Sequence, residues 1–362
     1  MDLEVPTRLL DLSAPGLGED LVLYETAPTE APITYATLSH RWGTTPPITT
    51  TISDLQKNLK RIYIESLPKT FREAVTFARK MEVRYLWIDS LCIIQDSTAD
   101  KDREIPKMAS IYSNAIFNIA ASAAADSSEG LFRERSPSLF QPIELPLNFE
   151  LADGTKKSCF ATLSRLLHRQ AGQKLQSTLD GRGWIFQERA LSRRVFSFDG
   201  HMLWFECREI IASENLPRGA SRGSGEDHSH SQDRWLNLLP QSASRSLCLI
   251  GDLLSKVETA KQVHDSTLPT QIDTLLHHWY RAMPGYLLRT FTHETDRLPA
   301  ISSLASRISA LSPDNTYIAG HFRPNLILSI CWTLGSPSTR SPIRFQPPRA
   351  PTWSWASLNG PV

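Results

Sequence analysis

Apolar positions in the first third of the chain recur with two different periods. Tyr35-Ala-Thr-Leu-Ser39 is a short β-prone run that stops at His40-Arg-Trp-Gly43. The Thr/Pro-rich residues after Gly43 mark a loop. Leu67-Pro-Lys-Thr70 opens a helix whose Phe71, Ala74, Val75, Ala78 and Met81 share one face. Arg84-Tyr-Leu-Trp-Ile-Asp89 is a compact apolar run ending in a carboxylate, as in a buried strand whose polar end reaches the sheet edge. A second helix is expected from Asp102 as N-cap, with Pro106 in its first turn and Ile105, Met108, Ile111 and Tyr112 facing inward. Ala115–Ala121 reads as a third strand.

Residues 35–121 thus alternate strand, helix, strand, helix, strand. Helical crossovers between neighbouring strands require a parallel sheet with right-handed connections. The expected fold class is α/β, a mainly parallel sheet with helices on both faces, followed by a mixed α+β region. In such sheets ligands collect at the carboxyl ends of the strands. Those ends carry Ser39–Gly43, Asp89–Asp96 and Ala121–Gly130.

Beyond residue 180 the pattern changes. Gly183–Leu191 reads as a short helix. Arg194–Phe198 and His201–Cys207 flank Asp199-Gly200, and an Asp-Gly pair between two β-prone runs predicts a hairpin. Residues 218–234 are polar, Gly/Ser-rich and without period, so a disordered loop is expected there. Helical stripes return with Ile272, Leu275, Leu276 and Trp279, and again across Leu298–Ser309. Thr316–Leu334 and Pro351–Ser357 are β-prone and Trp-rich. The expected organisation is a lead-in over 1–34, a principal domain over 35–190 with its core at 35–135, a hairpin extension over 191–217, the loop 218–234, and a mixed region over 235–362.

Composition narrows the function classes. The 39 Lys and Arg against 38 Asp and Glu leave a net charge of +1, with no basic excess suited to nucleic acid. The 24 Pro against 17 Gly describe stiff loops, and nine Trp spread aromatic anchors along the chain. The five Cys form no C-x-x-C pair, and Cys92 and Cys331 lie in apolar runs, which fits buried thiols in a reducing compartment. The opening residues lack the basic and apolar regions of a signal peptide, and no apolar run reaches the ~20 residues of a membrane span. A cytoplasmic location is expected. His228, His230, His277 and His278 have no acidic or thiol partner at ligand spacing, so no metal is expected. No G-x-G-x-x-G, Walker A or G-x-S-x-G motif occurs.

Several blocks in order resemble the HET (heterokaryon incompatibility) family of fungi. Tyr35-Ala-Thr-Leu-Ser-His-Arg-Trp-Gly43 is similar to its opening strand motif, and Leu67-Pro-Lys-Thr-Phe-Arg-Glu-Ala74 to its first helix. Tyr85-Leu-Trp-Ile-Asp-Ser-Leu-Cys-Ile-Ile-Gln-Asp96 is the most recognisable block, and Asp126-Ser-Ser-Glu-Gly-Leu-Phe132 resembles the turn after the third strand. Arg182–Ser192, Leu203–Cys207, Asp296–Ile301 and Trp353–Ser357 resemble later segments. His40-Arg41 depart from the family pattern, where an aromatic residue and then a Cys are common, so no thiol role is assigned there. The resemblance implies a cytoplasmic module of non-self recognition that triggers programmed cell death. It works through other signalling proteins or through self-association. It also implies a distant relationship to TIR domains, which are flavodoxin-like. Some TIR domains cleave NAD and others only assemble complexes, so the resemblance leaves open a signalling scaffold, an NAD glycohydrolase with NAD as its substrate, and an inactive, degenerate relative; no cofactor is assigned. Family members continue past the Trp353 segment. The C-terminal region is therefore expected to be incomplete, or its last Trp segment to pack back on the Asp199-Gly200 hairpin.

Candidate site residues follow from the strand ends. Asp89 either positions a ligand or serves acid/base chemistry, or it forms a turn with the backbone of the next residues. Ser39, His40, Trp42 and Gln95 are candidate ligand-binding residues; Ser39 and Trp42 equally suit a turn and the core. In NAD-cleaving TIR domains the catalytic Glu follows the third strand. Glu129 is therefore a candidate to stabilise the ribosyl cation as nicotinamide leaves, against an exposed turn residue. Gln187 and Glu188, beside Arg182 and Arg189, read as groups that fix the docking of two layers. Cys92 reads as a core thiol.

Overall fold

The three apolar runs form neighbouring parallel strands: β3 (Tyr35–Ser39), β4 (Tyr85–Trp87) and β5 (Asn118–Ala120). The computed structural model describes residues 5–27, 33–43, 48–134, 143–150, 153–163, 177–200, 202–214, 216–221, 243–332, 343–344 and 348–359. A fourth strand, β6 (Arg194–Phe198), pairs in parallel with β5. The parallel block thus runs β4-β3-β5-β6, with β3 between its two successors. That order puts the reversal of chain direction across the sheet between β3 and β5, where α/β sheets open a crevice at their carboxyl ends.

The sheet as a whole is not mainly parallel. It has nine strands in the order β9-β8-β7-β6-β5-β3-β4-β1-β2, and only the pairings within the central four are parallel. The lead-in, read from the sequence as an amphipathic opening and turns, supplies β1 (Arg8–Asp11) and β2 (Val22–Glu25). β1 pairs antiparallel with both β2 and β4. Four residues are too few to show a period, so these strands were hidden. On the other side the Asp199-Gly200 hairpin joins β6 to β7 (Leu203–Cys207) as expected, and β8 (Ile210–Ser213) and β9 (Leu216–Ser221) continue the meander. Residues 218–221 are therefore strand, and the rest of the expected loop, 222–234, lies outside the described residues.

Helix α1 (Lys69–Lys80) buries Phe71, Ala74, Val75 and Ala78, the stripe its spacing predicts. Phe77 extends the contact, meeting Phe117, Phe196 and Phe198 edge-on at ring distances of 6.0, 5.2 and 5.1 Å. The crossover from β4 to β5 is broken into three short helices: α2 (Asp89–Cys92), α3 (Thr98–Glu104) and α4 (Met108–Asn114). Ser97, not Asp102, caps α3: its hydroxyl accepts the Asp100 amide at 3.2 Å. Asp100 and Glu104 of α3 face inward and pair with Arg8, Arg103 and Lys107. This explains why a polar stretch folds against the core.

The Trp184 segment forms α5 (Ile185–Leu191), with all seven residues buried. It packs against α4 and against two helices of the C-terminal region, α6 (Ala243–Gln262) and α8 (Pro299–Ser309). Between them runs α7 (Leu268–Leu287), whose Trp279 and Tyr286 are fully buried. One continuous apolar cluster runs from Leu9 through Trp279 to Trp355. The β-prone reading of Thr316–Leu334 holds only for Tyr317–Ile318 and His321–Phe322; Leu326–Ser329 is helical. Trp355 packs on Tyr286, 6.1 Å between rings, and over Gly320, rather than on the hairpin. No helix among the described residues is long and apolar enough to cross a membrane.

Candidate functional site

The carboxyl ends of β3 and β4 bring five of the six predicted site residues into one neighbourhood. β3 ends in Ser39, and its next residue, His40, turns inward: the two are 2% and 3% exposed. β4 leads into α2, whose first residue is Asp89. The Asp89 carboxylate forms the turn contact expected of it and also holds Trp42. Oδ1 accepts the Ser90 amide at 2.7 Å, a turn contact, and Oδ2 accepts the Trp42 indole N–H at 3.1 Å. His40 Nδ1 lies 3.7 Å from Asp89 Oδ1. Asp89 keeps 26% of its side chain exposed, so it stands at the rim of this cluster. Gln95 supports it from behind, donating from Nε2 to the Asp89 carbonyl at 3.0 Å and to the Ile93 carbonyl at 3.1 Å. The loop carrying Trp42 folds back at Gly43. There φ is +77°, and Asp126 sits where a Cβ would go.

Glu129 is placed differently. It is 38% exposed, pairs with Arg133, and accepts the Ala125 amide at 3.1 Å. It closes its own turn beyond β5.

The group at the centre is one the sequence reading gave to layer docking. Glu188 of α5 points onto the end of β3, and its Oε2 accepts the Ser39 hydroxyl. The Tyr112 hydroxyl also bonds to Glu188. Asn118 of β5 orients the set: its Nδ2 donates to Ser39 Oγ at 3.0 Å, while its Oδ1 accepts the Thr37 hydroxyl at 3.0 Å. Ser39 Oγ also lies 3.3 Å from Asn118 Oδ1, so its single proton faces both Asn118 and Glu188. All these groups are buried.

Burial raises the Glu188 carboxyl to about 7, against the bonds from Ser39 and Tyr112 and the charge of Arg182, which favour its anion. The same burial pushes His40 down to about 4, so its ring is neutral at physiological pH; the charges of Asp89 and Arg182 act on it in opposite senses. The Tyr112 hydroxyl is held well above its ordinary value by burial and by Glu188. His40 Nε2 has no hydrogen-bond partner, an expensive feature inside a protein. The site therefore holds a carboxyl poised to gain or lose a proton near neutrality and, on the residue after Ser39, a neutral imidazole packed on Phe71 with one nitrogen unused.

A signal for Glu188 was present. Gln187-Glu-Arg189 interrupts an otherwise apolar helix, and three consecutive polar residues in a seven-residue element surrounded by apolar layers cannot all reach water. Arg189 does play the docking role expected of the segment, bonding Asp180 at 2.8 Å and Glu206 at 2.7 Å. Cys92 is a buried core thiol, pushed up to about 12 by burial, and is no nucleophile. Among the described residues no group of three His, Cys, Asp or Glu is placed to hold a metal ion.

Residues 35–188 match the model of a family described as "Heterokaryon incompatibility protein (HET)". No curated protein and no solved structure matches the chain. The matched stretch opens at the first residue of β3 and closes on Glu188, so it contains both halves of the Ser39–Glu188 pair. From Tyr35 to Glu188 the chain carries a domain of the HET family.

Proposed function

We propose that this protein is a module of non-self recognition and programmed cell death in filamentous fungi. It acts in the cytoplasm by associating with other signalling proteins or with copies of itself. The family match over residues 35–188 carries this reading. The order β4-β3-β5-β6 in the parallel block supports the distant TIR-like, flavodoxin-like relationship, in which the antiparallel flanks are additions to a shared centre. Induced expression in a filamentous fungal host is expected to arrest growth within a few generations; unimpaired growth at equal protein levels counts against the proposal.

One observation favours a second reading, NAD glycohydrolysis. A glutamate lies on the helix between the third and fourth parallel strands, with its carboxyl raised to about 7. In its anionic form such a group stabilises a ribosyl cation as the bond from ribose C1 to the nicotinamide nitrogen breaks, and water then adds at C1. This gives Glu188 the role expected of Glu129, with Asp89 and Trp42 at the rim to meet the ligand. Purified protein incubated with NAD is then expected to release nicotinamide. Glu188→Gln abolishes the release and Glu129→Ala spares it. Release kept in Glu188→Gln and lost in Glu129→Ala would return the role to Glu129, and no release from the unmodified protein removes the reading.

A further inference from the structure

A segment that enters from outside the parallel block is bonded to the backbone that follows Ser39 at the end of β3 and Ala120 at the end of β5. Residues Ser177–Gly183 run along the carboxyl ends of β3 and β5. Ser177 and Thr178 donate their hydroxyls to the carbonyls of Ser122 at 3.0 Å and Ala124 at 2.9 Å. Leu179 is fully buried with Ala120, Ile185 and Val195. Arg41 donates to the Thr178 carbonyl at 3.3 Å, and Arg182 donates to the carbonyl of His40. The segment is thus a strap over the site.

The other side of the strap is held by the C-terminal region. Arg182 and Thr290 form a parallel bridge: the Thr290 amide donates to the Gly181 carbonyl at 2.7 Å, and the Gly183 amide to the Thr290 carbonyl at 3.0 Å. The Thr290 hydroxyl adds a bond to Gly181 at 3.1 Å, and Arg289 donates to the Arg182 carbonyl at 3.0 Å. Phe291 lies so close to Gly183 that no Cβ fits between them. The Trp184 indole donates to Asp296 at 3.2 Å.

We propose that residues Arg289–Asp296 are an intramolecular clamp that holds the Ser177–Gly183 strap closed over the Ser39–Glu188 centre, so that the C-terminal region restrains the HET domain of its own chain. The proposal rests on the reading of that centre as the working site. Two features distinguish the strap from an ordinary loop. Its Arg182 bonds the His40 carbonyl and acts through its charge on both the His40 ring and Glu188, where a purely structural cover would meet apolar surface. Its outer contacts amount to one residue of backbone pairing, a few polar bonds and the Phe291 ring against Gly183, a small unit of local stability of the kind that opens while a domain stays folded.

The test uses the full chain and reads the strap without reference to activity. His40 is carbethoxylated by diethyl pyrocarbonate only when reagent reaches its ring. His321, 1% exposed in the C-terminal region, serves as the internal reference. Thr290→Pro removes the amide and hydroxyl that bind Gly181. Gly183→Ala forces a Cβ against Phe291. Each variant is expected to raise the His40 modification rate, measured by mass spectrometry, at least tenfold relative to His321. A His40 rate within twofold of the unmodified protein in both variants, or a parallel rise of His321 in both, overturns the clamp. If only Thr290→Pro exposes His321, it has lost the fold and Gly183→Ala decides. The growth assay then judges the centre separately. Earlier arrest with an opened strap joins the two, whereas an opened strap with unchanged growth leaves the clamp standing and removes the functional reading of Glu188.

Discussion

Glu188→Gln is expected to change how stability depends on pH, in a direction opposite to that of ion-paired carboxylates. The folded protein holds the Glu188 carboxyl at about 7, above its ordinary 4.5, because burial disfavours the anion. The folded state therefore binds the proton more tightly than the unfolded state. The group's contribution is fully present below pH 4.5 and is lost as pH rises through 7. A shift of this size corresponds to about 3 kcal/mol. His40 works the other way: its folded value of about 4 lies below the ordinary 6.5, so its contribution is present above pH 6.5 and is lost as pH falls through 4. Between pH 4.5 and 6.5 the two slopes oppose each other in the unmodified protein. The amide that replaces the carboxyl has no proton to exchange and still accepts from Ser39. The variant is therefore expected to lose stability on acidification more steeply than its parent and to gain relative to it above pH 7. Urea unfolding at pH 4.5, 5.5, 6.5 and 7.5 reads this directly; parallel stability curves for the two proteins would show that Glu188 titrates normally.

Trp87→Ala is expected to lower stability by about 3–5 kcal/mol, the range for removing a fully buried large aromatic. Trp87 is 0% exposed on β4, and its ring meets Tyr112 edge-on at 5.7 Å. Its loss leaves a cavity beneath the residue that bonds to Glu188. With typical domain stabilities of about 5–15 kcal/mol, such a loss populates unfolded chains at 37 °C. The measurement is the urea midpoint and its slope at pH 7; a loss below about 1 kcal/mol would mean that the neighbouring side chains collapse into the space. Trp87→Phe restores most of the volume and also removes an indole N–H that has no partner, so it is expected to recover more than half of the loss.

The two substitutions separate what was legible along the chain from what was not. Trp87 was visible as core because it sits in an unbroken apolar run, and the β3–α1–β4 alternation around it follows from periods of two and 3.6 residues. The hairpin at Asp199-Gly200 was visible because its turn chemistry is local. The four residues of β1 and the four of β2 were invisible: each becomes a strand only by pairing with a neighbour, and β1 reaches across to β4. With them the sheet changes from mainly parallel to a parallel centre between antiparallel flanks.

The site shows the same division. Asp89, Ser39, His40, Trp42 and Gln95 could be placed together because strand ends can be located from strands, and in the fold they share one neighbourhood. Glu188 was assigned to docking because Arg182 and Arg189 stand close to it in sequence, whereas Ser39 is 149 positions away. By itself the sequence determined the strands of the parallel centre, helix α1, the residues at the strand ends and the kinship with the HET family, all of which depend on local order. Only the tertiary structure decided which carboxyl lies against which hydroxyl, which imidazole loses its solvent, and which segment covers them. Hydrogen bonding and desolvation act through space at a few ångströms, and the chain brings together groups that its order keeps far apart.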